Sequence, residues 1–287
     1  MKGIVLAGGT GSRLHPLTLA TSKQLLPVYD KPMIYYPLST LMLAGIQEIS
    51  IITTPHEADQ FKRLLGDGSQ WGVRLEYLIQ PSPNGIAEAL IIGEEFTSGD
   101  SVALILGDNI FYGPGLGRQL QNVHASGATI FAHESQTPED YGVIELDEFG
   151  RVLSIEEKPA KPRSSKVVTG LYFYDNSAPQ MARELTPSAR GELEITDLNN
   201  MYLERGELSV RLLTSGTQWV DTGSIDNLMA AAAYVRGVES NSGQRIAVPE
   251  EIAWRMGYIS TGSLLKEAEK YQKSGYGQYL LKIVGEI

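Results

Sequence analysis

The chain of 287 residues has no cysteine and only four histidines, at positions 15, 56, 124 and 133. Without cysteine there is no disulfide, zinc–thiolate site, iron–sulfur cluster or thiol nucleophile. With so little histidine, a histidine metal cage or a serine–histidine triad has few candidates. Basic residues are outnumbered, 24 against 34 acidic, and a formal charge of −10 speaks against the extended basic surface that nucleic acids require. Long apolar runs are missing too. No segment approaches the roughly 20 residues that cross a bilayer, and the first apolar run stops at Gly8, too short for a secretory signal. The expectation is a cytoplasmic protein without membrane or nucleic-acid partners. What is present, 42% hydrophobic and 20% charged residues, is globular composition able to bury a substantial core.

Short apolar runs alternate with amphipathic stretches, the pattern of an α/β fold: a mostly parallel, Rossmann-like central sheet flanked by helices. Strands are expected at 4–7, 48–53, 73–79, 101–106, 128–132, 143–146, 152–156, 168–174, 208–213 and 218–220. Helices are expected at 32–45, 57–65 and 85–96. After a capping serine at position 224 the chain turns helical, with helices at 224–236, 249–256, 264–272 and 276–284. The division falls at residue 227, giving an α/β body over 1–227 and a helical extension over 228–287.

The loop after the first strand reads Leu6-Ala7-Gly8-Gly9-Thr10-Gly11-Ser12-Arg13-Leu14. Its glycines let backbone amides face an anion. It is neither familiar glycine loop: Leu14 stands where the dinucleotide fingerprint needs a third glycine, and Ser12-Arg13 replaces the Lys-Ser/Thr of a P-loop. Ten residues on comes Lys23. An Arg and a Lys flanking an amide-rich turn make a clamp for a polyphosphate. Asp108 and Asp221 stand after strand ends, where ligands of α/β sheets gather, and two such carboxylates can share one Mg²⁺. Gln80, in the loop 80–85, offers an amide able to read a pyrimidine edge.

Joined to Pro16-Leu17-Thr18 and Lys23-Gln24-Leu25-Leu26-Pro27, the glycine loop resembles the signature of the sugar-1-phosphate nucleotidyltransferases. Gly107-Asp108-Asn109, Glu156-Glu157-Lys158-Pro159, the run 190–197, Trp219-Val220-Asp221-Thr222-Gly223 and the run 275–280 are similar to its glucose-1-phosphate thymidylyltransferase branch, in the long form. The resemblance implies a nucleotide half over about 1–110 and a sugar-phosphate half over about 111–227. It implies attack by glucose 1-phosphate on the α-phosphorus of dTTP, giving dTDP-glucose and pyrophosphate, the first step of dTDP-sugar (for example dTDP-rhamnose) synthesis.

The nucleophile is already an anion, so no general base is needed. Asp108 and Asp221 are then the Mg²⁺ ligands, Arg13 stabilises the leaving pyrophosphate and Lys23 the α-phosphate. Gly8, Gly9, Thr10, Gly11, Ser12, Gln24, Gln80, Gly85 and Asp108 are implied at the nucleotide. Asn109, Tyr141, Gly142, Glu157, Lys158, Val168, Thr169 and Gly170 are implied at the sugar phosphate. Arg13, Lys23, Lys158 and the cation would form a basic island in an acidic surface. A homotetramer is implied as well, with feedback inhibition by a dTDP-sugar at a second site built by the C-terminal helices.

Two positions depart from the branch: Glu88 stands where Gln is frequent and Leu90 where Phe is. An acidic side chain beside the base loop could alter either nucleotide preference or the local pKa pattern. Two rival readings stay open. One is an enzyme of this kind using UTP or another nucleotide or hexose. The other is a silent sugar-nucleotide-binding regulator, which would be expected to lack Arg13, Lys23, Asp108 or Asp221. His56, His124 and His133 read as structural, and the tyrosine-rich helix at 32–45 as core or subunit interface.

Overall fold

The computed structural model describes residues 1–123 and 126–285; His124 and the last two residues of the expected extension lie outside them. The strands are β1 (Lys2–Ala7), β2 (Pro27–Val28), β3 (Lys31–Pro32), β4 (Glu48–Thr53), β5 (Arg74–Ile79), β6 (Val102–Leu106) and β7 (Asn109–Tyr112). They continue as β8 (Ala128–Glu134), β9 (Gly142–Leu146), β10 (Val152–Glu157), β11 (Lys166–Tyr174), β12 (Leu208–Leu212) and β13 (Gln218–Asp221).

One sheet runs β10-β9-β11-β6-β1-β4-β5, with β8 on β11 and β12 on β8. The stretch β6-β1-β4-β5 is parallel, with Val5 opposite Ile51 on one side and Ile105 on the other. Ile4 to Ala7 are buried on both faces, which explains an apolar run without alternation. β11 joins this block to the rest, antiparallel to β6, β8 and β9. The glycine loop thus leaves the parallel block, and residues 141–170 belong to the antiparallel one.

The expected helix at 85–96 is two short helices, Glu88–Ile92 and Glu94–Thr97, parted at Gly93. The helices Leu116–Gln121, Ala178–Glu184 and Ile195–Glu204 were not expected from the sequence, nor were β2, β3 and β7. The tyrosine-rich helix is Tyr35–Leu43, and both its tyrosines are buried. Ser224 caps the helix Ile225–Ser242, its Oγ accepting from the Asn227 N–H at 3.2 Å.

The sequence boundary at 227 falls inside that helix. Its Leu228, Ala231 and Val235 share a core with Leu14, Val28, Met33, Tyr36 and Ile110. Ile252 and Ala253 join the core of the parallel block, whereas Val248, Leu264, Ala268, Tyr279, Leu280 and Ile283 cluster apart. Among the described residues no helix is long and apolar enough to cross a membrane.

Candidate active site

A cleft of about 640 Å³ opens beyond the carboxyl ends of the parallel strands, between the two blocks of the sheet. Gly8, Gly9, Arg13, Lys23, Gln24, Gln80, Gly85 and Asp108 line one part. Asn109, Tyr141, Gly142, Glu157, Lys158, Val168, Thr169, Gly170 and Asp221 line the remainder. Thr10, Gly11 and Ser12 are not on its wall. Gly11 is in a left-handed conformation, its carbonyl accepting from Thr18 Oγ1 at 2.8 Å.

Asp108 and Asp221 do not sit at equivalent ends of one sheet, as the sequence suggests. Asp108 follows β6 by two residues, and β7 begins at once. β7 pairs antiparallel with β13, setting Asp221 opposite Asn109. Thr222 closes the junction, its N–H and Oγ1 donating to the Asp108 carbonyl at 3.0 and 2.7 Å. A small ribbon therefore carries the second carboxylate to the first.

Burial pushes the Asp221 carboxyl up to about 6, and the neighbouring charge of Asp108 adds to this, against Lys23 and Arg13. Burial also acts on Asp108, but the Lys23 ammonium beside it, hydrogen-bonded to Oδ2, and the Asn109 amide hold it below the ordinary carboxylate range. Among the described residues no cluster of three or more His, Cys, Asp or Glu could hold a metal ion.

The loop over residues 80–85 is shaped by Gly85, at φ 110°, where a Cβ would come within 2.4 Å of the Leu193 carbonyl oxygen. Leu193 donates to the Asn84 carbonyl at 2.7 Å, which draws the segment after residue 188 against this loop. Arg190, Glu192, Glu194 and Thr196 reach the cleft in this way. Thr196 Oγ1 donates to Glu157 Oε2 at 2.5 Å, while Arg190 bonds Glu194 at 2.8 Å and approaches Glu157 at 3.5 Å.

β11 breaks its register with β8 between Val168 and Tyr172, so Thr169 and Gly170 lie at an irregularity in the ladder, a common device beside active sites. Lys158 is held at φ 45°, its N–H donating to the Tyr141 carbonyl at 3.0 Å. Trp219 stacks edge-to-face on Tyr141 at 5.1 Å, and its Nε1 donates to Asn109 Oδ1 at 2.6 Å. The Tyr141 hydroxyl is pushed up to about 12, by burial first and then by Asp221, and so stays protonated.

Arg13, Lys23, Lys158 and Arg190 line the cleft together with Asp108, Asp140, Glu157, Glu192, Glu194 and Asp221. Lys23 pairs with Asp108, Lys158 with Glu157, and Arg190 with three glutamates. Sequence reasoning singled out neither Arg190, Thr196 nor Trp219 for the site. The run 190–197 was visible as a motif, but nothing local ties it to residues 80–85.

A strand-end cleft with a glycine loop, a lysine and two converging aspartates defines a nucleotidyl transferase, and the chain belongs to that family, whose sequence pattern matches residues 2–237. A glucose-1-phosphate thymidylyltransferase of Mycolicibacterium smegmatis is 55% identical over 99% of both chains. One from Neisseria meningitidis serogroup A is 56% identical, again over 99% of both. A crystal structure of a Bacillus anthracis protein assigned to the same enzyme, in complex with sucrose, superposes with a TM-score of 0.76. It is 42% identical, covering 82% of this chain and 95% of that one. Within the family, the chain belongs with the glucose-1-phosphate thymidylyltransferases.

Proposed function

We propose that the cleft joins dTTP to α-D-glucose 1-phosphate, yielding dTDP-glucose and pyrophosphate. The observation that carries this reading is the meeting of Lys23 with the Asp108–Asp221 pair where the two blocks of the sheet face each other. A reaction between two polyanions needs positioning and charge neutralisation at that junction. It needs no general base, since the sugar phosphate is already an anion. Among the described residues no histidine lines the cleft.

Asp108 and Asp221 would hold Mg²⁺. Two neighbouring buried carboxylates repel, which a shared divalent cation relieves, and Mg²⁺ favours sites of one or two carboxylates completed by water and phosphate oxygens. When bound it supplies positive charge between the two substrates. Lys23, hydrogen-bonded to Asp108, would face the α-phosphate with its positive charge. Arg13 stabilises the departing pyrophosphate. Gln80, Gly85 and Gln24 receive the base, with Gly8 and Gly9 beside the phosphates. Tyr141, Gly142, Glu157, Lys158 and the 168–170 irregularity receive the sugar phosphate, and Asn109 orients Asp108.

The test is a pyrophosphate-release screen over four nucleotides and several sugar phosphates, with and without Mg²⁺. Fastest turnover is expected with dTTP and glucose 1-phosphate, vanishing when the metal is chelated. A clear preference for UTP would remove the thymidylyl assignment. Asp108→Asn should lower turnover by ~10²–10³-fold with the fold intact; unchanged turnover would contradict the metal assignment.

The same reading takes the protein as a cytoplasmic homotetramer inhibited by a dTDP-sugar at a second site. The resemblance of the C-terminal segment is what supports it. Light scattering reads the mass, and inhibition purely competitive with dTTP would argue against the second site.

A further inference from the structure

Thr222 follows Asp221 directly and is fully buried. The ladder of β7 and β13 ends at the pair Asn109–Asp221, and the Thr222 N–H extends it one step by donating to the Asp108 carbonyl at 3.0 Å. That bond satisfies the pairing. The hydroxyl adds a second donor to the same oxygen at 2.7 Å, which strand pairing does not call for. Thr222 Oγ1 also lies 3.2 Å from Met33 Sδ. Met33 and Ile34 in turn donate their N–H groups to the carbonyls of Leu26 and Gln24, in the turn that carries Lys23.

Both aspartates are oriented by their neighbours. The Gly223 N–H donates to Asp221 Oδ1 at 3.0 Å, and Asn227 Nδ2 donates to the Asp221 carbonyl at 2.9 Å. Asn109 Nδ2 and Lys23 Nζ do the same for the two oxygens of Asp108. The Thr222 side chain joins the halves: it springs from the residue beside one carboxylate and ends on the carbonyl of the other.

We infer that Thr222 is a positioning residue for the reaction, its hydroxyl fixing how the Asp108 and Asp221 carboxylates stand to each other and so how tightly they grip a divalent cation. The inference rests on the assignment of that pair to Mg²⁺. Mg²⁺ demands near-ideal octahedral geometry and tolerates misplaced ligands poorly. Thr222→Val keeps the shape but sets a methyl in place of the oxygen. Carbon stands about 3.3–3.6 Å from a carbonyl oxygen, so the Asp108 carbonyl has to draw back and take its carboxylate with it. The four pairs of the ladder remain, which preserves the fold. Thr222→Ser keeps the hydroxyl and with it the second donor.

The experiment titrates Mn²⁺ alone into the native protein, T222V, T222S and D221N, read as loss of the free-ion electron paramagnetic resonance signal. Thermal midpoints check folding, and steady-state rates are taken over a range of Mg²⁺. Groups behind metal ligands typically set affinity by ~10–100-fold, so T222V is expected to bind Mn²⁺ at least ~10-fold more weakly and T222S within ~3-fold of the native protein. The Mg²⁺ concentration giving half the maximal rate should rise in parallel in T222V, while KM for glucose 1-phosphate holds. Native affinity in T222V overturns the inference, and so does an equal loss in both variants or a loss that tracks a lowered midpoint. If D221N binds Mn²⁺ as the native protein does, the pair is not the metal site, and the metal assignment fails with the inference. If D221N loses the ion but T222V keeps it, the inference alone fails.

Discussion

Asn109 sits 2% exposed at the start of β7, and its side chain ties three parts of the site together. Nδ2 donates to Asp108 Oδ1 at 3.0 Å, while Oδ1 accepts from the Gly170 N–H at 3.2 Å and from Trp219 Nε1 at 2.6 Å. Asn109→Asp keeps the shape but replaces a donor to Asp108 with a further buried negative charge. We expect kcat to fall by ~10²-fold, about 2.7 kcal/mol, more than KM for glucose 1-phosphate rises, in steady-state rates. A change confined to KM would assign Asn109 to the sugar instead. Arg13, Gln80 and Asp108 were legible because each stands beside a glycine-containing turn after an apolar strand, and Lys23 because it follows the glycine loop by ten residues. Thr196 and Arg190 were not, since they reach Glu157 from a segment whose docking depends on the Leu193 and Asn84 backbones.

The helix Ile225–Ser242 is fastened to the turn between β2 and β3 by buried charges. Lys31 Nζ lies 2.5 Å from Asp30 and 3.3 Å from Glu239, and Arg245 pairs with Asp30 too. Burial pushes the Lys31 ammonium down to about 8, with Glu239 opposing the shift. Glu239 Oε1 also accepts from the Ile246 N–H at 2.9 Å. Glu239→Leu would strand two buried donors, and a loss of about 3 kcal/mol is expected in denaturant unfolding. A loss below about 1 kcal/mol would mean that Asp30 alone satisfies the cluster. Long elements with strong periodicity were legible from the sequence. The ribbon of β7 and β13 was not: β13 answers to the expected strand at 218–220, but β7 carries no such signal and the pairing of the two spans more than a hundred residues.

Charge at the scale of the whole molecule couples stability to pH. Glu250 is 1% exposed where the C-terminal helices meet the body. Burial raises its pKa, opposed by the Tyr276 hydroxyl that donates to it at 2.5 Å. An acid raised in the folded state stabilises fully below its unfolded pKa, and that contribution is lost as pH climbs through the folded value. Glu250→Gln should therefore gain on the native protein as pH rises. Thermal midpoints at pH 5 and pH 8 should show the gap widening toward pH 8, and a constant gap would refute it. The −10 balance, read from composition, speaks against a broad basic surface. It could not show that carboxylates outnumber cations inside the cleft as well.

β11 runs for nine residues, buried along all but its first, and bonds to β6 and β9 along one edge and to β8 along the other. A strand shared by both walls leaves no hinge between them, so swinging the walls apart would tear the ladder. Admission of substrate is thus left to the rims, to the turns around residues 9–13, 80–85 and 137–141. Backbone deuterium uptake should be fast at those rims and slowest in β11, whose amides open only when the entire chain does.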